Sequence, residues 1–225
     1  TPENFIKEVL VEKLGARFVV VGDDYRFGYH RAGNTQLLES MSMLLGYKTV
    51  ICSKESDRIP AGFDNNTQEE FREISATLIR QAIEKGDLEL ANRFLGRPYS
   101  IIGEVVHGRE IGRTIGMPTA NLIAPEEKLL PPNGVYYSKT IIFGKSYESV
   151  TNVGHNPTVA QHGSKRIETY VYDFSGDLYG KSIEVQLYHF GRPEQKFSDI
   201  DALKTQMHHD GENSRKYFQT METSR

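Results

Sequence analysis

In the first hundred residues, the apolar positions alternate between helical spacing and short continuous runs. Apolar residues recur every three or four positions over residues 5–14, which predicts an amphipathic helix ended by Gly15. A continuous apolar run follows over residues 18–21, a pattern typical of a buried parallel strand. A second helix over residues 37–45 and a second strand over residues 47–52 repeat this succession. The alternation predicts a doubly wound, Rossmann-like α/β sheet.

Two further helices close this half of the chain. Ser75 stands where its side chain would cap a helix over residues 76–85, and Gly86-Asp87 separates that helix from another ending near Gly96. The rhythm of the sequence changes after this point. We therefore expect a domain boundary between residues 92 and 98, which gives domains over 1–96 and 97–225.

The second half contains short runs of β-branched and aromatic residues with turn signals between them. These runs cover residues 99–106, 135–143, 147–153, 167–174 and 183–190. Strands that follow one another so closely, with no helix between them, predict an antiparallel barrel or sandwich. Ser198 then begins an amphipathic helix, with Ile200, Leu203 and Met207 on one face.

The composition is that of a folded, two-domain protein. The chain has 225 residues, of which 38% are hydrophobic and 25% charged. Its formal charge of −3 argues against a general nucleic-acid or anionic-membrane surface, and we expect neither as a partner. The single cysteine, Cys52, excludes an internal disulfide and indicates a reducing, cytoplasmic compartment. We expect Cys52 to be buried in its strand.

The densest chemical signal is a glycine-rich segment that also carries two arginines, Arg109 and Arg113. Its four glycines are Gly103, Gly108, Gly112 and Gly116. Glycine lets successive backbone N–H groups turn toward one anion, and arginine adds positive charge. The segment is not a Walker A loop, because Arg113 stands where that loop has lysine. Taken alone, a plain barrel corner explains such a cluster equally well.

The glycine-rich segment leads into Pro118-Thr119-Ala120-Asn121. The Thr119 hydroxyl and the Asn121 carbonyl are hard oxygen donors two residues apart, so an extended chain places them on one face. There they could bind a magnesium ion that accompanies ATP. The alternative is that both side chains merely hold a turn together.

The whole pattern resembles the riboflavin kinase signature, in which a glycine-rich loop runs into Pro-Thr-Ala-Asn. Further blocks of that family follow in the same order over residues 130–136, 152–158, 168–180 and 192–197. The resemblance covers nearly all of residues 97 to 218. It implies a six-stranded antiparallel β-barrel with a C-terminal helix, ATP on one side and riboflavin on the other, and transfer of a phosphoryl group from ATP to riboflavin to give FMN.

The resemblance also implies roles for individual residues. Glu168 would be the base that takes the proton from the riboflavin 5′-hydroxyl, although a glutamate on a strand is by itself more often solvated or paired. Thr119 and Asn121 would hold the Mg²⁺ of the nucleotide. The implied ATP-binding residues are Gly103, Gly108, Gly112, Arg113, Gly116, Thr119 and Asn121. The implied flavin-binding residues are Asn152, Gly154, Pro157, Thr158 and Arg192.

The first half resembles the nucleotidyltransferase domain of the bifunctional bacterial riboflavin kinase/FAD synthetases. The residues that this resemblance assigns to an adenylyltransferase site are Gly22, Asp23, Asp24, Arg26, Phe27, Ser75, Thr77 and Arg80. For the last three, a capped helix with an exposed arginine is the alternative. The His-x-Gly-His motif of that family does not occur in this sequence, which begins at Thr1 rather than Met. We therefore expect a partial domain that does not convert FMN to FAD, although an intact parent would.

Two other interpretations remain open at this point. The first is a flavin-binding or regulatory module that keeps the barrel without useful catalysis. The second is a metal site at His208-His209-Asp210, but neighbouring helical residues point about 100° apart, which favours a surface or flavin-lid helix. The sequence leaves the oligomeric state open.

Overall fold

A computed structural model describes residues 1–65, 67–108, 117–155 and 165–223. The chain divides into two compact units, Thr1–Ile74 and Ser75–Arg225. The division between the two units precedes the domain boundary that the sequence predicts at residues 92–98. The two differ because the helix pair that begins after Ser75 packs on the barrel. Leu88 belongs to the barrel's buried cluster, and the Asn92 side chain donates to the carbonyl of Leu187 at 2.9 Å.

The first unit contains a two-stranded parallel sheet, as the apolar runs predict. Its elements are α1 (Pro2–Asn4), a π-helical segment (Phe5–Lys13), β1 (Phe18–Gly22), a 3-10 turn (Tyr29–Arg31), α2 (Thr35–Leu45), β2 (Lys48–Cys52), β3 (Ser56–Ile59) and β4 (Glu70–Glu73). Strands β1 and β2 pair in parallel register. Strands β3 and β4 form an antiparallel pair that the sequence pattern does not predict.

The β1–β2 sheet is covered on one face. Val19 and Val21 pack with the buried side chains of the helical segments, whereas Phe18 and Val20 on the other face are 63% and 62% exposed. Cys52 is also exposed, so the expectation that it is buried is wrong. The reason is the alternation of side chains along a strand, which brings every second residue to the uncovered face.

The helix pair of the second unit ends where its capping residues predict. The Ser75 side chain accepts from the backbone N–H of Leu78 at 3.3 Å and begins α3 (Ala76–Lys85). Asp87 accepts from Leu90 N–H at 3.1 Å and begins α4 (Leu88–Leu95). Both helices end at a left-handed glycine, which confirms the stop signals read from the sequence.

Six antiparallel strands in the described part of the second unit close into a barrel, in the order β10-β5-β6-β9-β8-β7. The strands are β5 (Tyr99–Val106), β6 (Thr119–Ile123), β7 (Gly134–Ile142), β8 (Lys145–His155), β9 (Lys165–Val171) and β10 (Ser182–Arg192). The barrel confirms the fold class implied by the family resemblance. Five strands match runs in the sequence, and β6 is the additional one.

The barrel interior combines an apolar core with a connected row of hydroxyl groups. The apolar cluster includes Ile101, Val105, Leu122, Tyr136, Val153, Ile167 and Leu187. The fully buried hydroxyl residues lie on β7, β8 and β9 and are Ser138, Thr140, Ser149, Thr151 and Thr169. Ser149 bonds to Ser138 at 2.8 Å and to Thr140 at 2.9 Å. Thr151 of β8 donates to Thr169 of β9 at 2.9 Å. Together these bonds satisfy the buried hydroxyls and link three neighbouring strands in one register.

Substitution Ser149→Ala is expected to destabilise the barrel. It leaves the hydroxyls of Ser138 and Thr140 with fewer partners in a buried place, which costs about 1–3 kcal/mol in the free energy of unfolding. Ser146→Ala, at an exposed position of the same strand, is the matched control. Urea unfolding of both variants measures the difference, and equal midpoints would show that the hydroxyl row does not stabilise the fold.

A long helix, α5 (Ile200–Thr223), packs against β7 and β8. Asp199, rather than Ser198, caps it, because the Asp199 carboxylate accepts from Ala202 N–H at 2.8 Å. Leu203 and Met207 line a cleft beside the barrel, but Ile200 is 57% exposed, so it does not share their packed face as expected. Among the described residues, no helix is both long and apolar enough to cross a membrane.

Candidate functional site

The outward side chains of β6, β9 and β8 form three rows across the barrel surface. Apolar core residues such as Leu122 and Ile167 point inward from these strands, so the residues between them point outward. The strand register defines the rows as Thr119–Tyr170–Val150, Asn121–Glu168–Asn152 and Ile123–Arg166–Gly154. The candidate base Glu168 therefore lies between two asparagines, one from each neighbouring strand.

Two clefts open onto this surface. The helix-side cleft, of about 170 Å³, is lined by Thr119, Val135, Asn152, Glu168, Tyr170, Tyr172, Arg192, Phe197, Leu203, Met207 and Asp210, among others. The strand-edge cleft, of about 630 Å³, is lined by Val105, Pro118, Thr119, Ala120, Val171, Phe174, Asp177, Leu178 and Tyr179, among others. Thr119 belongs to both linings. Ligands held in the two clefts would therefore approach each other at Thr119.

The Asn121 side chain is bound by an arginine that sequence analysis did not single out. Arg166 donates to Asn121 Oδ1 twice, from Nε at 2.8 Å and from Nη2 at 2.6 Å. The same Nη2 lies 2.5 Å from Glu168 Oε1. Arg166 precedes Glu168 by two residues on one strand, and this spacing is the sequence signal that could have revealed the pair.

Thr119 and Asn121 share the outer face, as their spacing predicts. Asn121 is 5% exposed, and both Arg166 donors point at its carbonyl oxygen. An ion bound to that oxygen would lie beside the guanidinium. The ion and the guanidinium cannot both use the same lone pairs of the Asn121 oxygen. In this arrangement, the Thr119–Asn121 donor pair does not fit a bound Mg²⁺.

Gly108 lies against the same group of side chains. A Cβ at this position would collide with the Asn121 amide and would come within 2.6 Å of Arg166 Nη2. Gly103, within β5, has a different neighbour, since a Cβ there would come within 2.8 Å of the Ile123 carbonyl oxygen. Close backbone approach thus explains both glycines.

A nearly buried ion pair closes the helix-side cleft. Arg192, at the end of β10, donates from Nε to Asp210 Oδ1 at 2.9 Å and from Nη2 to Oδ2 at 2.7 Å. Gln206 donates to the same carboxylate at 2.9 Å. Arg192, predicted to bind flavin, therefore lines the cleft while it ties the barrel to α5. The sequence by itself suggests for Asp210 only a metal site with His208 and His209.

Asn152, predicted to bind flavin, is held by a carboxylate from the segment after β10. Glu194 accepts from Asn152 Nδ2 at 3.3 Å and from Asn133 Nδ2 at 3.2 Å. A Cβ at Gly154 would collide with the Glu194 carboxylate. The missing side chain at Gly154 leaves room for the Glu194 carboxylate in this position.

Tyr172 gives the helix-side cleft an unpaired hydroxyl. Its Oη is buried and has no hydrogen-bond partner among the described residues, and a Cβ at Gly211 of α5 would collide with it. Burial raises the pKa of the Tyr172 phenol well above its usual value. The hydroxyl therefore stays protonated at neutral pH.

Several predicted site residues lie outside the described residues. These are Gly112, Arg113 and Gly116 of the ATP loop, and Pro157 and Thr158 of the flavin-side segment. Their roles stay predictions.

The predicted adenylyltransferase residues divide between the two units. In the first unit, Gly22 ends β1, Asp23 N–H donates to the Cys52 carbonyl at 3.1 Å, and Asp24 pairs with Lys54 at 2.9 Å. Arg26 is exposed, whereas the Phe27 ring is buried in the core. In the second unit, Ser75 is the cap of α3, and Thr77 and Arg80 are exposed on that helix.

The metal interpretation of His208-His209-Asp210 finds no support. Both histidines are exposed, while Asp210 is buried and paired with Arg192. The described residues contain no cluster of three or more His, Cys, Asp or Glu side chains that could hold a metal ion.

Comparison with known proteins agrees with the barrel. Residues 95–218 match the riboflavin kinase family, and residues 1–59 match the FAD synthetase family. The chain belongs to the riboflavin kinase family. It is 39% identical over 223 residues to the bifunctional riboflavin kinase/FMN adenylyltransferase of Escherichia coli K12, and 37% identical over 216 residues to that of Haemophilus influenzae.

These alignments cover 97% and 95% of this chain but only 66% and 65% of the two relatives. A crystal structure described as a macrolide-efflux protein from Streptococcus pneumoniae matches 96% of this chain and 64% of its own, with 31% identity and a TM-score of 0.71. The chain thus spans about two thirds of the length of these related proteins.

Proposed function

We propose that this chain transfers the γ-phosphoryl group of ATP to the 5′-hydroxyl of riboflavin, giving FMN and ADP. The observation that carries the proposal is the meeting of two clefts at Thr119, with Glu168 on the lining of one of them. Membership of the riboflavin kinase family supports the choice of substrates.

Riboflavin is assigned to the helix-side cleft and the nucleotide to the strand-edge cleft. Phe197, Leu203 and Met207 offer apolar surface for the flavin ring in the first cleft, and Asn152 offers an amide at its edge. The lining of the strand-edge cleft includes Pro118 and Thr119, which follow the glycine-rich segment in the sequence. The ATP-binding roles of Gly103, Gly108, Gly112, Arg113, Gly116, Thr119 and Asn121 are part of this proposal.

Glu168 is assigned the role of general base. As the riboflavin hydroxyl oxygen forms a bond to the γ-phosphorus, the bond from that phosphorus to the β–γ bridging oxygen breaks and the hydroxyl proton passes to Glu168. The remaining contribution of the protein is to hold donor and acceptor in line, since phosphoryl transfer depends chiefly on positioning and charge neutralisation.

The proposal also includes the metal ion, the cellular compartment and the subsequent conversion of FMN to FAD. Mg²⁺ is the expected counter-ion of the nucleotide phosphates, and the cytoplasm is the expected compartment for a chain with one cysteine. The match of residues 1–59 to the FAD synthetase family supports conversion of FMN to FAD by a longer protein that contains this chain. The residues proposed for that step in this chain are Gly22, Asp23, Asp24, Arg26, Phe27, Ser75, Thr77 and Arg80.

Incubation of the chain with riboflavin, ATP and Mg²⁺ tests the proposal, with riboflavin, FMN and FAD separated by chromatography. FMN without FAD is the expected product. Absence of FMN from a folded chain that still binds flavin would contradict the kinase proposal and favour a flavin-binding module. Formation of FAD would show that adenylyl transfer does not need a His-x-Gly-His motif in this chain.

A further inference from the structure

Arg166 contacts both Asn121 and Glu168, although no role in the reaction has been assigned to it so far. We infer that Arg166 is a positioning residue, which holds one oxygen of the Glu168 carboxylate and thereby directs the other oxygen to the riboflavin hydroxyl. This inference rests on the proposed kinase function. It adds to that function the residue that fixes the direction in which the proton is taken.

The first support is the contact between the two side chains. Arg166 and Glu168 are two positions apart on β9, so both side chains lie on the outer face of the barrel. Arg166 Nη2 lies 2.5 Å from Glu168 Oε1. This contact uses Oε1, and the second oxygen, Oε2, keeps its lone pairs for the hydroxyl that Glu168 is proposed to deprotonate.

The second support is that Arg166 is itself held in place. Its Nε and Nη2 donate to Asn121 Oδ1 at 2.8 and 2.6 Å, and Asn121 is buried. The backbone at Gly108 lies close on another side, since a Cβ there would come within 2.6 Å of the same Nη2. A planar guanidinium that donates twice to one buried oxygen has little freedom to rotate. Arg166 therefore gives Glu168 a fixed partner.

The third support is the place of the pair relative to the clefts. Glu168 lines the helix-side cleft, whereas Arg166 is not among the described residues that line either cleft. The Arg166 and Glu168 side chains are also only 22% and 31% exposed, so water competes only in part for their charge-assisted bond. An effect of Arg166 on the reaction would thus be exerted through Glu168.

Steady-state kinetics of FMN formation by Arg166→Met test the inference. The substitution removes the bond to Oε1, and kcat is expected to fall about ten- to hundredfold, the order of loss when a reacting group is displaced by about 1 Å. The KM values for riboflavin and ATP should change less than about twofold, because the lost interaction acts in the transition state. Arg97→Met is the matched control, since Arg97 is exposed and donates to the neighbouring Pro98 carbonyl. The control should keep the wild-type kcat.

Two further variants separate positioning from a purely structural role. Arg166→Lys keeps a donor for Oε1 without the planar fork, so its kcat should lie between those of Arg166→Met and the wild type. In the Glu168→Gln background, Arg166→Met should change kcat less than about twofold, because the base that it positions is no longer there. Circular dichroism shows whether each variant is folded. If Arg166→Met does not fold, Arg166→Lys takes its place in both backgrounds, with a smaller loss of kcat expected when Glu168 is present and none when it is replaced.

Three results would overturn the role of Arg166 while the wild-type chain still forms FMN. They are a wild-type kcat in a folded Arg166 variant, an equal fold-loss of kcat with and without Glu168, and an effect confined to the KM for ATP, which would assign Arg166 to nucleotide binding. A wild-type chain that forms no FMN would instead contradict the kinase proposal, and the inference would fall with it. The two failures are therefore distinguishable.

Discussion

Glu168→Gln is expected to lower the rate of FMN formation by about a hundred- to ten-thousand-fold, the usual contribution of a positioned general base. Glutamine is nearly isosteric with glutamate but cannot take a proton from the riboflavin hydroxyl. Steady-state kinetics measure the effect, with kcat reduced far more than KM is changed, because the substitution removes an interaction made chiefly in the transition state.

Glu184→Gln is the matched control for this substitution. Glu184 also lies on a barrel strand, β10, where it accepts from Gln186 at 3.2 Å. Its replacement should leave the rate of FMN formation close to that of the wild type. If Glu168→Gln retained the wild-type kcat in a folded protein, the assignment of Glu168 as the base would have to be abandoned.

Asp210→Ala is expected to cause the largest loss of stability. It would leave the Arg192 guanidinium, which is only 18% exposed, without its buried carboxylate partner. Removal of one member of a buried ion pair costs about 3–5 kcal/mol in the free energy of unfolding. Because this pair ties β10 to α5, the variant should also bind riboflavin more weakly, as measured by quenching of flavin fluorescence.

Asp173→Asn provides the comparison for Asp210→Ala, because Asp173 has a φ of 56°, which asparagine tolerates and alanine does not. Asp173 pairs with Arg215 at 3.3 Å, but these side chains are 86% and 48% exposed. Exposed pairs contribute about 0–1 kcal/mol, so urea unfolding should show little change for this variant. Equal losses in the two variants would mean that burial of the Arg192–Asp210 pair does not matter for stability.

Local signals in the sequence account for most of the elements. Ser75 and Asp87 cap their helices because a side-chain oxygen and the first-turn N–H groups are within a few residues of each other. A turn also forms between the predicted strand runs 135–143 and 147–153, with Phe143 and Gly144 at positive φ and the strands β7 and β8 on either side. The exposure of Cys52 was not predictable in this way, because it depends on which face of the sheet the helices cover.

Strand β6 is the barrel strand that the local sequence pattern does not predict. Thr119–Ile123 pairs with β5 through only two residue pairs, Val105↔Leu122 and Val106↔Asn121, and owes the rest of its pairing to β9. Its five residues do not alternate strongly enough to stand out as a strand. The Pro-Thr-Ala-Asn motif nevertheless predicts that the Thr119 and Asn121 side chains lie on one face of an extended chain, and strand β6 does bring both to one face.

The sequence by itself determined the family, the helix caps, five of the six barrel strands and the identity of the candidate base, because these depend on neighbouring residues and on motif order. Only the tertiary structure decided that Arg166 binds Asn121 and Glu168, that Asp210 binds Arg192, and that Thr119 lines both clefts. Asn121 precedes Arg166 by 45 positions, and Arg192 precedes Asp210 by 18. Contacts over such separations are set by strand order and helix docking, which local composition does not encode.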